Sequence, residues 1–131
     1  MPGSLSRLKK RAEFLRVAGL RLKWAAPGLV LQIGPRNENL PTGVRVGFTA
    51  SRKVGNAVLR NRSRRRLKAA AAEIMPSEAR SDCDYVLIAR PETVRRPYNL
   101  LLEDLRTALR RVKTPRNTLA ENATESPKDK P

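Results

Sequence analysis

The stretch Ser51–Lys68 constrains the fold more than any other part of the chain, because it holds eight basic residues and no acidic one. On a helix that turns by about 100° per residue, the apolar residues of this stretch and those just after it share one face. That face consists of Leu59, Ser63, Leu67, Ala70 and Ile74, and the far side consists of Asn61, Arg64, Arg65 and Lys68. The pattern predicts a helix that packs on the protein by one side and presents positive charge on the other.

Other signals place strands before and after this helix. The helix itself should span about Asn56–Met75 and end before Pro76, which disfavours helical geometry in the preceding residue. Shorter helices are expected at Lys10–Ala18 and Asn99–Lys113, the second with Asn99 as its N-cap. Strands are expected at Leu20–Ala25, Leu29–Ile33, Val44–Ala50 and Tyr85–Ala89. Strands mixed with helices predict an α/β or α+β sandwich.

Two of these strands indicate how the sheet is covered. In Val44–Ala50 the apolar residues alternate toward one face, while Arg45, Gly47 and Thr49 take the other, so we expect one apolar face and one polar face. Tyr85–Ala89 is almost continuously apolar, which is typical of a central strand covered on both faces.

The charge of the chain points to an anionic partner. Its 131 residues include 28 Lys and Arg against 12 Asp and Glu, giving a formal charge of +16. A chain of this length has room for one domain. The polar stretch 114–131 carries balanced charge and reads as a disordered tail, so the domain at 1–113 carries the whole excess. Nucleic acid is the commonest such partner, because phosphates neutralised by Lys or Arg release condensed counterions.

Several classes of protein are disfavoured. The basic stretch Met1–Arg16 lacks the apolar core of a signal peptide, and the longest apolar runs are too short to cross a bilayer, so we expect a cytoplasmic protein. Histidine is absent and Cys83 is the only cysteine. The usual zinc ligands and acid–base residues are therefore missing, and Cys83 should be a buried, neutral thiol. The carboxylates show no spacing that suits a metal ion, so we expect neither catalytic residues nor a protein-held metal.

The unbalanced run of arginines favours nucleic acid over an ordinary solvated face, since a solvated helix usually intersperses Glu. A DNA-recognition helix usually belongs to a dimer or a helix-turn-helix pair, whereas this helix lies between two strands. That placement favours an RNA-binding protein supported by a sheet. A ribosomal or other structural RNA-binding protein fits the composition equally well. A stand-alone nuclease and a membrane-binding helix are further alternatives, although the apolar side of the helix lacks the Trp or Phe typical of membrane binding.

Three blocks of sequence carry a resemblance to a known family. They are RLKKRAEF at Arg7–Phe14, RVGFTASRKVGNAVLRNRSRRRLK at Arg45–Lys68 and DYVLIAR at Asp84–Arg90. In this order and spacing they resemble the protein subunit of bacterial ribonuclease P, over most of residues 7–113. The middle block contains the RNR signature of that family, represented here by Lys53, Gly55, Ala57, Val58, Arg60, Asn61, Arg64, Arg65 and Arg66.

The resemblance implies a two-layer sandwich of about four strands in a mixed sheet with three helices. It also implies a left-handed βαβ crossover through the basic helix, as in the second domain of ribosomal protein S5. In the family, the protein joins a catalytic RNA, and the particle removes the 5′ leader of precursor tRNA by phosphodiester hydrolysis. The RNA and the substrate hold the catalytic magnesium ions. The protein broadens the substrate range, and neither a membrane nor a small-molecule substrate is involved.

The resemblance also implies roles for particular residues. Contacts with the catalytic RNA are expected from Arg52, Lys53, Arg60, Asn61, Arg62, Arg64, Arg65, Arg66 and Lys68. A cleft for the leader is expected from Arg7, Lys9, Lys10, Arg11, Phe14 and Arg45. Periodicity alone favours a core position for Phe14, whereas an exposed ring would stack a base. Ala18 and Gln32 stand where many members of the family carry aromatics, so charge should matter more than stacking in this cleft.

Overall fold

The computed structural model describes residues 5–35 and 43–112, so the predicted tail 114–131 lies outside the described residues. The strands are β1 Leu5–Arg7, β2 Lys23–Ala25, β3 Leu29–Pro35, β4 Val44–Thr49 and β5 Cys83–Ala89. The helices are α1 Arg11–Gly19, α2 Ala57–Glu78 and α3 Tyr98–Arg111. Short 3-10 turns at Arg52–Val54 and Pro91–Thr93 precede α2 and α3.

The five strands form one mixed sheet in the order β1-β4-β5-β3-β2. β4 is parallel to both β1 and β5, whereas β3 is antiparallel to β5 and to β2. The mixed α+β fold is thus confirmed, with five strands instead of about four, because the three-residue β1 is too short to show a pattern in the sequence. β4 and β5 are neighbours joined through α2, as in a βαβ unit, and the left-handed crossover stays a prediction.

The sheet is covered on both faces, but unequally. On one face α2 and α3 enclose the larger core, which includes Leu31, Leu67 and Leu87. On the other face α1 packs on β3 and β5 around Val17 and Val86. Alternate residues of β5 therefore enter different cores, which confirms it as a central strand. The sheet and the α2–α3 pair make the two main layers, and α1 adds a partial third.

The ends of the helices depart from the sequence-based bounds for local reasons. α2 continues through Pro76 to Glu78, so the expected stop before this proline is wrong; the buried Ile74 and Met75 hold its last turn in the core. α3 begins one residue before Asn99, and Pro97 occupies the N-cap position instead. Arg21 adopts a positive φ of 57° just after α1, which delays β2 to Lys23.

The packing of α2 on the sheet should dominate stability. Leu67 is fully buried in the larger core, whereas Leu15 on α1 is 55% exposed. We expect Leu67→Ala to lower the free energy of unfolding by about 2–5 kcal/mol, because it leaves a cavity that the core cannot fill. Leu15→Ala, the matched control, should change it by less than about 1 kcal/mol. Urea unfolding at neutral pH measures both, and equal losses in the two variants would contradict this packing.

Candidate nucleic-acid interface

The part of α2 that ends at Lys68 carries its positive charge and contains no carboxylate, whereas Glu73 and Glu78 lie further along the helix. Within residues 5–35 and 43–112, none of the eight basic side chains of Ser51–Lys68 takes part in a salt bridge. Leu67, Ala70 and Ile74 on the opposite side are buried, and Arg62 and Arg65 are exposed. The predicted division of this helix into a docked side and a charged side is therefore confirmed.

Two side-chain caps fix the backbone where this basic surface begins. Asn56 caps α2 by accepting a hydrogen bond from the Leu59 amide at 3.0 Å, and Ser51 caps the preceding turn through the Lys53 amide. Between them Gly55 has a positive φ of 141°, a conformation that favours glycine. The turn leaves Arg52 and Lys53 exposed just before the first turn of α2. The two predicted contacts outside the helix thus adjoin those on it.

The predicted contacts on α2 differ in how freely they can reach a partner. The Asn61 side-chain oxygen accepts a hydrogen bond from Arg64, and Asn61 is exposed whereas Arg64 is half-buried. Arg60 and Lys68 are half-buried. Arg60 lies partly against the protein, where its Nε is buried and has no hydrogen-bond partner among the described residues.

Arg66 is directed inward. Its guanidinium donates to the backbone carbonyls of Thr93 and Val94, at 2.9 and 2.6 Å, and to that of Arg96. These bonds tie α2 to the segment that leads into α3. Because the acceptors are neutral carbonyls, the positive charge of Arg66 is not cancelled, although most of its donors are already in use.

The residues predicted for the leader cleft do not all share one face of the sheet. Lys9, Lys10 and Arg11 are exposed at the start of α1. Arg7, however, pairs in register with Val46, so its side chain lies on the α2 face, where its guanidinium carbon is 5.4 Å from the centre of the Phe48 ring. Its expected place in the cleft is wrong, because β1 was not foreseen as a strand.

Arg45 also needs a correction. It lies on the α1 face, as expected, but only 9% of its side chain is exposed. Its guanidinium bonds to Glu13 of α1 and lies 3.5 Å from Asp84 of β5, which also accepts a bond from Arg16 at 2.7 Å. Arg45 therefore attaches α1 to the sheet and is not open to an RNA strand.

Phe14 combines the two roles that its periodicity left open. Its ring lies directly on Gly47, where an added Cβ would come within 2.5 Å of ring carbons. It packs against the small core around Val17 and Val86 but stays half-buried, so part of the ring faces solvent. Contact with a leader base remains a prediction for this residue.

Sequence reasoning missed most of the floor of the groove beside α1. Val30 and Gln32 of β3, Thr49 of β4 and Ile88 of β5 share the α1 face and are only half-buried, and the exposed Lys23 lies at the edge on β2. The sequence associates only Gln32 with the leader cleft, and it places Thr49 on the same face of its strand as Arg45. The alternation of β3 and β5 contains the signal, because every second residue joins the face of Arg45 once the pairing is known.

The pKa values of two groups, Glu13 and Cys83, are shifted by their surroundings. Burial would by itself raise the pKa of Glu13, but hydrogen bonds from Arg45 and from the Lys10 and Lys9 amides outweigh it and lower the pKa below 4.5. Burial raises the pKa of Cys83 to about 12, which confirms a buried, neutral thiol. In the part of the chain that the structure describes, no three His, Cys, Asp or Glu residues lie together as a metal site, and no helix is long and apolar enough to span a membrane.

A mixed sheet that carries an arginine-rich helix, whose arginines take part in none of the salt bridges of the described residues, defines a class, the small basic α+β proteins that bind RNA. Residues 3–113 match the family model described as Ribonuclease P. A ribonuclease P protein component of Paramagnetospirillum magneticum is 54% identical over 128 residues, covering 96% of each chain. One of Ruegeria pomeroyi is 47% identical over 113 residues, covering 86% of this chain and 90% of the relative.

Solved structures agree with these relatives. The ribonuclease P protein of Staphylococcus aureus superposes with a TM-score of 0.65 at 27% identity, over 79% of this chain and 92% of that one. The protein of Thermotoga maritima gives 0.68 at 22% identity, over 82% and 98%, and supports the fold. The chain belongs to the ribonuclease P protein family. Its role is that of the protein component of this tRNA-processing endoribonuclease, which decides against the ribosomal alternative.

The attachment of α1 should depend on pH through Glu13. Because the pKa of Glu13 is lower in the folded than in the unfolded chain, its stabilising contribution is present above pH 4.5 and is lost as the pH falls through the folded pKa. We expect Glu13→Gln to be less stable than the wild type at neutral pH, and the difference to shrink on acidification below pH 4.5. Urea unfolding across that range measures it.

Glu103→Gln is the control, since Glu103 is exposed on α3 and outside the salt bridges of the described residues. A stability difference between Glu13→Gln and the wild type that does not change with pH would show that Glu13 contributes nothing through its charge.

Proposed function

We propose that the basic surface formed by α2 and the turn before it binds the catalytic RNA of ribonuclease P. The surface comprises Arg52, Lys53, Arg60, Asn61, Arg62, Arg64, Arg65 and Lys68. Arg66, which the sequence also predicts as a contact, is left out because its guanidinium donates to three backbone carbonyls of the protein. The observation that carries the proposal is the lack of any carboxylate partner for these cations, while the opposite side of the same helix is buried. Guanidinium groups suit the phosphates of a folded RNA because they donate two parallel hydrogen bonds. Asn61 adds an amide that can also accept from a 2′-hydroxyl.

We further propose that the 5′ leader of precursor tRNA lies in the groove beside α1. Lys9, Lys10 and Arg11 border this groove with positive charge, and its floor offers small apolar and amide groups for unstacked bases. Phe14 contributes a partly accessible ring. Because the chain is only 4% aromatic, charge carries more of the leader affinity than stacking does.

The two surfaces lie on opposite faces of the sheet, α2 on one and α1 on the other. This arrangement supports the proposal that the protein neutralises two polyanions at once. It would thereby lower the electrostatic repulsion between the substrate and the catalytic RNA. Phosphodiester hydrolysis is assigned to the RNA, with magnesium held by RNA and substrate. We place this work in the cytoplasm, with no membrane and no small-molecule substrate.

The phosphate contacts should appear in the salt dependence of RNA binding. Arg64→Ala and Arg65→Ala should each weaken binding to the catalytic RNA and flatten the log–log slope of affinity against salt by up to about one unit, because each removes a released counterion. Filter binding over a salt series measures both quantities.

Arg80→Ala is the matched control, because Arg80 is exposed but paired with Asp82 at 2.9 Å. It removes the same formal charge from a position with a local carboxylate, and its slope should stay near that of the wild type. Unchanged slopes in Arg64→Ala and Arg65→Ala would mean that these groups do not contact phosphate.

The division of labour can be tested by reconstitution. The purified chain with precursor tRNA and magnesium should give no cleavage, whereas addition of a bacterial ribonuclease P RNA should produce a mature 5′ end with a 5′-phosphate. Gel analysis of end-labelled precursor follows both reactions. Site-specific cleavage by the chain without the RNA would contradict the assignment of the chemistry to the RNA.

A further inference from the structure

A pocket lies between α2 and the start of α3, away from the groove beside α1. It has a volume of about 450 Å³, opens widely to solvent, and is lined by Arg62, Arg65, Arg66, Ala69, Val94 and Tyr98. Three of these six residues are arginines, and none is acidic. The lining therefore combines positive charge with an apolar wall. A metal ion would be repelled by the arginines, and an apolar peptide would have no use for them.

Each side of the pocket is fixed by contacts within the fold. Arg66 is held by the three backbone carbonyls that it contacts near Val94, so it places a permanent charge in the wall. The hydroxyl of Tyr98 donates to Glu73 at 3.1 Å, which holds the ring while leaving Tyr98 39% exposed. Arg62 and Arg65 are exposed and outside any salt bridge of the described residues, so they remain free to bind.

Nucleic acid offers a ligand with both required features. A base that has left its stack has a flat face, which suits the Tyr98 ring and the neighbouring Val94, and its phosphates suit Arg62 and Arg65. A base inside an A-form helix cannot reach such a ring, so a duplex would use only the arginines. Glu73 does not line the pocket, and its Oε1 accepts the hydrogen bond from the Tyr98 hydroxyl.

We propose that this pocket binds one unpaired nucleotide of the catalytic RNA, with its base on Tyr98 and its phosphate on Arg62 and Arg65. The inference rests on the proposed function, because it needs the α2 surface to face that RNA. It adds a base-stacking element to a surface otherwise made of charge. The leader is not the ligand, since its groove lies on the other face of the sheet.

The central test compares Tyr98→Ala with Tyr98→Phe in binding to a bacterial ribonuclease P RNA alone. Loss of one stacked base should weaken the affinity of Tyr98→Ala by about 5- to 150-fold, and Tyr98→Phe should restore it to within about threefold, because the ring suffices. The slope of affinity against salt should stay unchanged in Tyr98→Ala, since no phosphate contact is lost. Equal affinities of Tyr98→Ala and the wild type would overturn the inference.

Leu20→Ala is the matched control, because Leu20 is a large side chain with a similar exposure of 43%, located just after α1. It should bind the catalytic RNA as the wild type does, and an equal loss in Leu20→Ala would overturn the inference. Urea midpoints of all variants check that each is folded. Chemical probing of the RNA should show one unpaired base protected by the wild type and Tyr98→Phe but reactive with Tyr98→Ala.

Two further measurements distinguish a failure of the pocket proposal from a failure of the proposed function. In the assembled holoenzyme, affinity for the leader should be the same for Tyr98→Ala and the wild type, and a defect seen only with leader-bearing precursor would overturn the pocket as a catalytic-RNA site. Failure of the wild type itself to bind the catalytic RNA in a salt-dependent way would instead refute the proposed function. Salt-dependent binding by the wild type with no effect of Tyr98→Ala refutes only the pocket.

Discussion

The distribution of a few carboxylates governs this structure. Twelve acidic residues face twenty-eight basic ones, so most cations have no counterion within the chain. In the described residues, the salt bridges engage Arg16, Arg45, Arg80, Arg95, Arg96 and Arg106, and all of these lie outside Ser51–Lys68. Glu13 and Asp84 join α1 to the sheet and Glu78 joins α2 to α3, whereas Asp82 and Glu92 form local pairs, so the basic face of α2 keeps its charge. That face therefore favours a polyanion as its partner.

The attachment of α1 to the sheet likewise depends on two carboxylates. Glu13 and Asp84 bind Arg45 and Arg16 between the helix and the sheet. Close approach is allowed by two glycines: Gly47 lies under the Phe14 ring, and an added Cβ at Gly34 would be 3.0 Å from the Cα of Val17. A short helix with a small apolar core is thus fixed by buried charge and by backbone contact. This fixed helix forms one wall of the groove beside α1.

The two faces of the sheet differ in how much of each is accessible because their cores differ in size. The larger core under α2 and α3 holds the basic helix by Leu67, Ile74 and Met75, so its arginines are presented from a rigid support. The smaller core under α1 leaves part of the sheet accessible beside it. Rigid support suits a permanent contact with a structured RNA, and an open groove suits a single strand of variable sequence.

The sequence by itself determined the features that depend on local periodicity and charge. They include the docked and charged sides of α2 and the doubly covered strand β5, because the spacing of side chains along a helix or strand fixes which of them share a face. The sequence also predicted the buried Cys83 from its residue type and the family from three blocks of sequence. Contacts between segments distant in the chain were decided by the tertiary structure. β1 paired with β4 and turned Arg7 toward α2, while Glu13 and Asp84 came together around Arg45 from positions 71 residues apart.

The same difference between local pattern and long-range contact distinguishes the α2 surface from the groove beside α1. The α2 contacts were predictable because they follow one helix, whereas the groove floor assembles Val30, Thr49 and Ile88 from three strands whose register no local pattern specifies. The pocket at Tyr98 likewise joins α2 to a residue at the start of α3. Local sequence fixes the direction of a side chain within its element, and only the folded chain decides what lies opposite it.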